Sequence, residues 1–450
     1  MVCFNLTLRA HAKRFQFYTS PSSLHSAHIP QPCYIQPLEA TGSLMPLPKT
    51  PAGTSNTPYK KEATSTPLPN GHGSPLLKME QIERLLTWAE TKGVAINGIG
   101  PKPLPGRGIG IVANRALKTG EDILTVPVNM LRTLKNTPQP ILHNLKGSTV
   151  HAILATSLCL ETDPEFAIWR AVFPSEDDIR TCMPLSWPSE LQHLLPPNAK
   201  ALLAKQKTKF DTDWALVTAA YPSISRTQFL YSWHLVNSRT FYHVTRATEK
   251  LLKADHMVLQ PVADLFNHSP DGCKVAFDDA SFTITTTHPV EEGDELFIRY
   301  GSHSNDFLLV EYGFTLPGST NPWDEICLDE YLCPLFTKRQ RAELEDTGFW
   351  GRYMLDAETA CYRTHTALRM LCCSHTQWRD VLDGLRDEDV DRDAVNDKLV
   401  QVLRACEKDV GRKLTELERC TAGNEVSRST LRERWLQMGE LVTATIVRLQ

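Results

Sequence analysis

The feature that most limits how this chain can fold is a change of hydrophobic period that happens twice. From Gly106 to Leu134, "GRGIGIVANRALKTGEDILTVPVNMLRTL" sets short Val- and Ile-rich runs between Gly, Asn and Asp, which reads as short strands. Within it, Ile109, Ile111, the turn "LKTGED" and "ILTVPV" suggest a hairpin-like unit. From about Ile141 to Val236 the apolar residues recur at helical spacing, in "TVHAILATSLCLET", "AKALLAKQKTKFDTDWALVTAAY" and "SRTQFLYSWHLVNSRTFY". Strand character returns with "MVLQPVADLF", "CKVAFDDASFTITTTHPV" and "GDELFIRYG", where "FDDASF" reads as a tight turn. After Pro322 the pattern is helical again, to Gln450. The expected class is therefore α+β: a β core interrupted by a helical insertion at about 137–236, followed by an α-helical C-terminal domain. No internal repeat is evident.

The two ends of the ordered region are also marked. In "LLKMEQIERLLTWAETKGV" Met79, Ile82, Leu85, Leu86 and Ala89 share one helical face, and Gly93 is the stop signal. Residues 1–76 are rich in Pro, Ser, Thr and Gly and cannot bury enough apolar surface to offset ordering entropy, so a disordered segment is expected. Its first 38 residues hold no acid but do hold Arg9, Lys13 and Arg14, a composition resembling a transit peptide. A formal net charge of -4 gives no basic stripe for a nucleic-acid partner. No apolar run reaches the ~20 residues of a membrane span. The twelve cysteines have no C-x-x-C spacing, which suits free thiols in a reducing compartment better than disulfides or zinc.

Four stretches could carry chemistry. "GRGIG" at Gly106–Gly110 continues into a strand at Val112 and Ala113, so it lacks the helix N-terminus of a phosphate loop; it is either a structural turn or a bare backbone against which a ligand lies. "NSRTFY" at Asn237–Tyr242 puts Arg239 beside aromatics, where its planar fork could hold a carboxylate or form a surface ion pair. In "VADLFNHSPDGCK", from Val262 to Lys274, an apolar run ends in Asp264, Asn267 and His268. A partly buried Asp264 must be paired or hydrogen-bonded, and Asn267 offers a donor and an acceptor side by side. His268 has no second His or Cys at ligand spacing. Finally, "ELFIRYGSHSNDFLLVEYGF" places Tyr300 and Tyr312 each before a glycine, where a loop and a short helix could bring both rings to one pocket or to the core.

Taken in order, with the helical insertion after the first, these four stretches resemble the split-SET group of SET-domain protein-lysine methyltransferases. That group is typified by the rubisco large-subunit methyltransferase and by fungal enzymes acting on ribosomal proteins, elongation factors and cytochrome c. The specific part is "NHS" followed by "YG…SN…LL…YGF". The resemblance implies a SET domain at 77–318, a C-terminal substrate-docking domain at 319–450, and S-adenosyl-L-methionine as cofactor. It implies backbone contacts to the cofactor's methionine part from Arg107, Gly108 and Ile109, Arg239 near its carboxylate, and Asn267 with His268 at its amino and adenine ends. A lysine channel would be lined by Ser238, Phe241, Asp264, Ile298, Tyr300 and Tyr312, with Tyr300 as the catalytic residue and also a cofactor contact.

The implied partner is a non-histone protein offering a lysine, with no nucleic acid, no membrane and no metal, to a monomer in the cytoplasm, the nucleus or both, with mitochondria possible. Two departures from the group stand out. Arg107 occupies a place where many members carry an acid, and the tail from Asn321 is short for a docking domain. A histidine acceptor and a non-catalytic SET-like binding module are the competing readings.

Overall fold

Proline at the start and glycine past the end bound the first helix, Pro75–Thr91, because proline needs no N–H in the first turn and Gly93 takes φ 89°. This is a computed structural model, and it describes residues 75–246 and 248–450; apart from Pro75 and Leu76, the segment expected to be disordered lies outside them. Ile82, Leu85 and Ala89 of this helix are buried, but Met79 is 40% exposed and so leaves the face assigned to it.

The strands are β1 (Ala95–Ile96), β2 (Ile99–Leu104), β3 (Gly108–Ala113), β4 (Asp122–Pro127), β5 (Phe241–Tyr242), β6 (Met257–Val258), β7 (Asn267–Phe277), β8 (Ser281–Thr285) and β9 (Glu295–Ile298). Seven of them form one sheet in the order β1-β4-β8-β7-β9-β3-β2, while β5 and β6 pair separately. Every neighbouring pair in the large sheet is antiparallel except β7 and β9, which run parallel.

The sheet corrects the expected hairpin. β3 and β4 are not neighbours, because β3 is flanked by β2 and β9 and β4 by β1 and β8. The hairpin is instead β2–β3, turning at "GRG", and β2 escapes a periodicity reading because Pro101 and Pro103 interrupt it. Their equal parity in an edge strand keeps both missing N–H groups on one side, which is where a sheet tolerates proline. The turn at "FDDASF" joins β7 to β8 as expected, with the Asp278 carboxylate accepting the N–H groups of Ala280 and Ser281 at 2.8 Å each.

Two apolar cores result. The first gathers the sheet, the first helix and the helices Val150–Cys159 and Arg226–Arg239. The second is built on the C-terminal helices Arg392–Arg419 and Glu425–Leu449, with Trp378 and Trp435 fully buried. It also takes Trp187, Leu191, Leu195, Ala199 and Leu203 from the helical insertion. The helix Pro197–Ala220 is roughly 36 Å long, so its first half packs in the second core while Phe210 and Val217 reach the first. The tail is not wholly helical: β10 (Glu325–Cys327) and β11 (Met354–Asp356) form a two-stranded antiparallel sheet that the helical reading missed.

Candidate active site

The polar stretch that ends the apolar run is shaped by one unusual residue. Val262 is buried and adopts φ 66° and ψ -48°, a conformation that costs a β-branched residue on the order of 1–3 kcal/mol. The Ala263 N–H donates to the Pro261 carbonyl at 2.8 Å, making a γ-turn around it. A single 3-10 turn, Ala263–Leu265, follows before β7 begins at Asn267.

This turn leaves the Asp264 carboxyl with no exposed surface. Its Oδ2 accepts the Trp169 indole N–H at 3.2 Å and lies 3.5 Å from Nη1 of Arg239. Arg239 ends its helix and donates more closely to the Asp264 carbonyl, at 2.7 Å. Burial pushes the Asp264 carboxyl up to about 6, against the pull of Arg239. Oδ1 of Asp264 and Nε of Arg239 are buried without a protein hydrogen-bond partner among the described residues.

Beyond the turn, the parallel register sets His268 opposite Ile298, so the ends of β7 and β9 meet. The strands approach so closely that a side chain at Gly272 would strike the Ile298 backbone at 2.6 Å. The Tyr300 N–H donates to Nδ1 of His268 at 3.1 Å. The same nitrogen lies 3.3 Å from the Ile298 carbonyl, but an N–H can only donate, so Nδ1 is the acceptor and the ring proton sits on Nε2. Burial pulls the imidazole down to about 4, so it is neutral near pH 7, and Nε2 has no protein partner among the described residues.

The Tyr300 ring stacks on His268 with centroids 5.1 Å apart and lies 5.1 Å from Tyr312. Phe314 packs 6.2 Å from His268 and 6.4 Å from both tyrosines. The Tyr300 hydroxyl donates to the Phe266 carbonyl at 2.6 Å, and burial raises its pKa well above the ordinary value, so it is a neutral hydroxyl. The rings of both tyrosines thus meet, and Ile298 and Asp264 are buried.

The glycine run divides its work. Gly106 and Gly108 take φ 74° and 75°, and a side chain added at Gly108 would meet nothing within 4 Å, so that face of the turn is open. Gly110 is tight instead: a Cβ there would come within 2.7 Å of Glu295 Oε1 and 2.8 Å of Asn267 Nδ2. Ile109 lies between them, half-buried against the first core. Asn267 donates to Glu295 Oε1 at 2.8 Å, and Arg107 Nη1 is 2.7 Å from Glu295 Oε2.

Two other residues of the expected channel turn elsewhere. The Ser238 hydroxyl donates back to the His234 carbonyl of its own helix at 2.8 Å, and Phe241 is buried edge-on against Phe282 at 5.1 Å. Reading the sequence missed Trp169, Phe266, Glu295 and Phe314. Trp169 lies 95 positions from Asp264, and Phe266 acts through its carbonyl, which no pattern marks. Glu295 and Phe314 do lie inside the quoted tyrosine stretch. Their signal was position beside the tyrosines.

A SET-domain family model matches residues 108–301. The chain contains a SET domain. Residues 324–448 match the Ribosomal lysine N-methyltransferase 2 C-terminal domain, so the tail read as short for docking matches a domain of a known type. The ribosomal lysine N-methyltransferase set11 of Schizosaccharomyces pombe is 28% identical over 72% of this chain and 87% of its own length. SET domain-containing protein 4 of Mus musculus is 28% identical over 67% of this chain and 75% of its own. A crystal structure of the SET domain of LSMT bound to MeLysine and AdoHcy superposes with a TM-score of 0.56 at 16% identity, covering 82% of this chain and 93% of that one, which is a likeness of fold.

Proposed function

We propose that this protein is an S-adenosylmethionine-dependent protein-lysine N-methyltransferase whose substrate is a ribosomal protein. The observation that carries the reading is the neutral hydroxyl of the half-buried Tyr300, fixed on the Phe266 carbonyl between His268 and Tyr312. The fold and the domain pairing support the class, and the set11 relative supports the substrate.

The residues present fit the cofactor. His268 Nε2, Asp264 Oδ1 and Arg239 Nε are buried polar atoms that lack protein partners among the described residues, and Gly108 offers an open backbone face on β3, the strand that pairs with β9. Backbone groups of Arg107, Gly108 and Ile109 would hold the methionine part, Arg239 its carboxylate, and Asn267 with His268 the amino and adenine ends. When bound, the cofactor supplies an electrophilic methyl group on a sulfonium.

The chain's own residues do the rest. Free lysine has a pKa near ~10.4, while methyl transfer needs the neutral amine. A channel walled by Tyr300, Tyr312 and Ile298 disfavours the ammonium by desolvation, and the proton is released as the side chain enters. Asp264, ionised above about pH 6 with Oδ1 unpartnered, offers a buried negative charge beside the channel. The Tyr300 hydroxyl and the Ile298 and Phe266 carbonyls then orient the amine, and alignment of this kind can lower a barrier by several kcal/mol on a scale of ~7–11. Ser238 and Phe241 act one layer back, shaping the helix end that carries Arg239. All ten described cysteines are free thiols, which supports work in a reducing compartment such as the cytoplasm or nucleus.

The test is to incubate the pure protein with labelled S-adenosylmethionine and ribosomal proteins and to locate the label by mass spectrometry. Methyllysine in a ribosomal protein is the expected product. Label on histidine would move the acceptor to another nitrogen, and a lack of label on every protein offered would leave only the binding-module reading.

A further inference from the structure

The contacts around the glycine turn say more than the family's pattern does. Glu295, at the start of β9, holds two partners at once: Asn267 Nδ2 on Oε1 at 2.8 Å and Arg107 Nη1 on Oε2 at 2.7 Å. The partners are unequal. Asn267 is fixed by β7, and the Glu295 side chain is only 9% exposed, whereas the Arg107 side chain is 56% exposed on the turn between two positive-φ glycines. The bare Gly110 between them lets Glu295 and Asn267 sit directly over β3. A carboxylate nearly out of water, with one oxygen committed to the protein and the other to a solvent-washed guanidinium, is a site at which one cation can replace another. Exchange costs little because a pair with one exposed partner is weak.

We propose that Glu295 joins Asn267 in binding the cofactor's α-ammonium, supplying its negative charge, and that Arg107 occupies the ammonium's place until the cofactor arrives. This rests on the cofactor reading above and extends it. It assigns a role to a residue that the resemblance does not mark, and it explains how an arginine at position 107 is compatible with a cationic ligand: Glu295 supplies the negative charge, and Arg107 swings outward with no structural duty to abandon. The ammonium gains a charge-assisted hydrogen bond in exchange for the ion pair.

Two ligands separate this role from a structural one. S-adenosylhomocysteine carries the α-amino group, and 5′-methylthioadenosine shares its adenosine but lacks the amino acid. By calorimetry, Glu295→Gln should weaken S-adenosylhomocysteine binding about tenfold or more while leaving 5′-methylthioadenosine within about twofold of wild type. Arg107→Gln, which keeps the backbone of that exposed turn and removes only the competing guanidinium, should raise S-adenosylhomocysteine affinity a few-fold. Equal loss of both ligands in Glu295→Gln, or unchanged affinity for both, would overturn the proposal. So would a loss in Arg107→Gln matching that of Glu295→Gln, since Arg107 would then be the ligand-holding group. Wild-type protein that binds neither ligand would overturn the cofactor reading itself, a result distinct from any of these.

Discussion

Two buried arginine–aspartate contacts sit at opposite ends of the "YGSHSNDFLLVEYGF" stretch, and they are built differently. Arg434, on the last helix, is wholly buried and reaches Asp306 with Nε at 2.7 Å and Asp324 with Nη1 at 2.6 Å. Asp306 opens the helix Asn305–Tyr312, and Gln437, one turn on from Arg434, accepts from Asn305 at 2.9 Å and donates to the Leu316 carbonyl at 2.9 Å. Arg239 and Asp264 stand 3.5 Å apart; each pair leaves one aspartate oxygen without a partner, Oδ2 of Asp306 and Oδ1 of Asp264, but only Arg239 also leaves its Nε unused. The first contact spends the arginine's fork on two carboxylates and locks the C-terminal domain to the SET domain. The second leaves capacity beside Tyr300. A tight pair fixes architecture, while a loose pair next to a strained turn is what a site that must accept a ligand requires.

The contrast can be broken by mutation. Arg434→Met should be the most damaging change, costing about 3–5 kcal/mol in denaturant unfolding because it strands two buried carboxylates; a cost near zero would show that the two contacts do not differ as described.

His303 lies where the two regions meet, its carbonyl accepting from Asn321 at 2.9 Å and its ring stacked on Phe307 at 4.3 Å. Burial pulls its imidazole down to about 4 from an ordinary 6.5. The unfolded chain therefore binds the proton first, and stability falls as pH drops from 6.5 towards 4. His303→Asn should abolish roughly 2 kcal/mol of the stability that wild type loses between pH 7 and pH 5, measured as the difference between two unfolding curves.

The smallest effect on stability belongs to the loose pair. Arg239→Gln should cost about 1 kcal/mol at pH 7. The sign of its pH dependence is opposite to that of His303. Asp264 titrates in the fold at about 6, above its unfolded value, so its contribution is present at low pH and is lost as pH rises through 6. The penalty of Arg239→Gln should therefore shrink at pH 5, where a protonated Asp264 no longer needs the arginine. A penalty that grows on acidification would contradict the assignment.

How much of this was legible depended on distance along the chain. The β–helical–β order, the "FDDASF" turn and the meeting of Tyr300 with Tyr312 are written in local periodicity and short spacing, and the structure has them. The pairing of β3 with β2 and β9 was not, because β2 carries two prolines and β9 enters from nearly two hundred residues away. Nor was the second core, since nothing in the helical insertion distinguishes Ala199 and Leu203, which face the C-terminal domain, from Phe210, which faces the sheet. Glu295 was hidden for another reason. An acid at a strand start is ordinary until the fold places Asn267 and Arg107 on its two oxygens.

The central claim is that chemistry is done at the Tyr300 hydroxyl in the loosely paired half of the molecule. It is tested most directly by the single-turnover rate of methyl transfer in Tyr300→Phe at saturating cofactor. Removing the hydroxyl takes nothing from the apolar packing around the ring, so fold and cofactor affinity should stay close to wild type, while the rate should fall on the order of 10²-fold. A variant that transfers methyl at the wild-type rate would contradict the account.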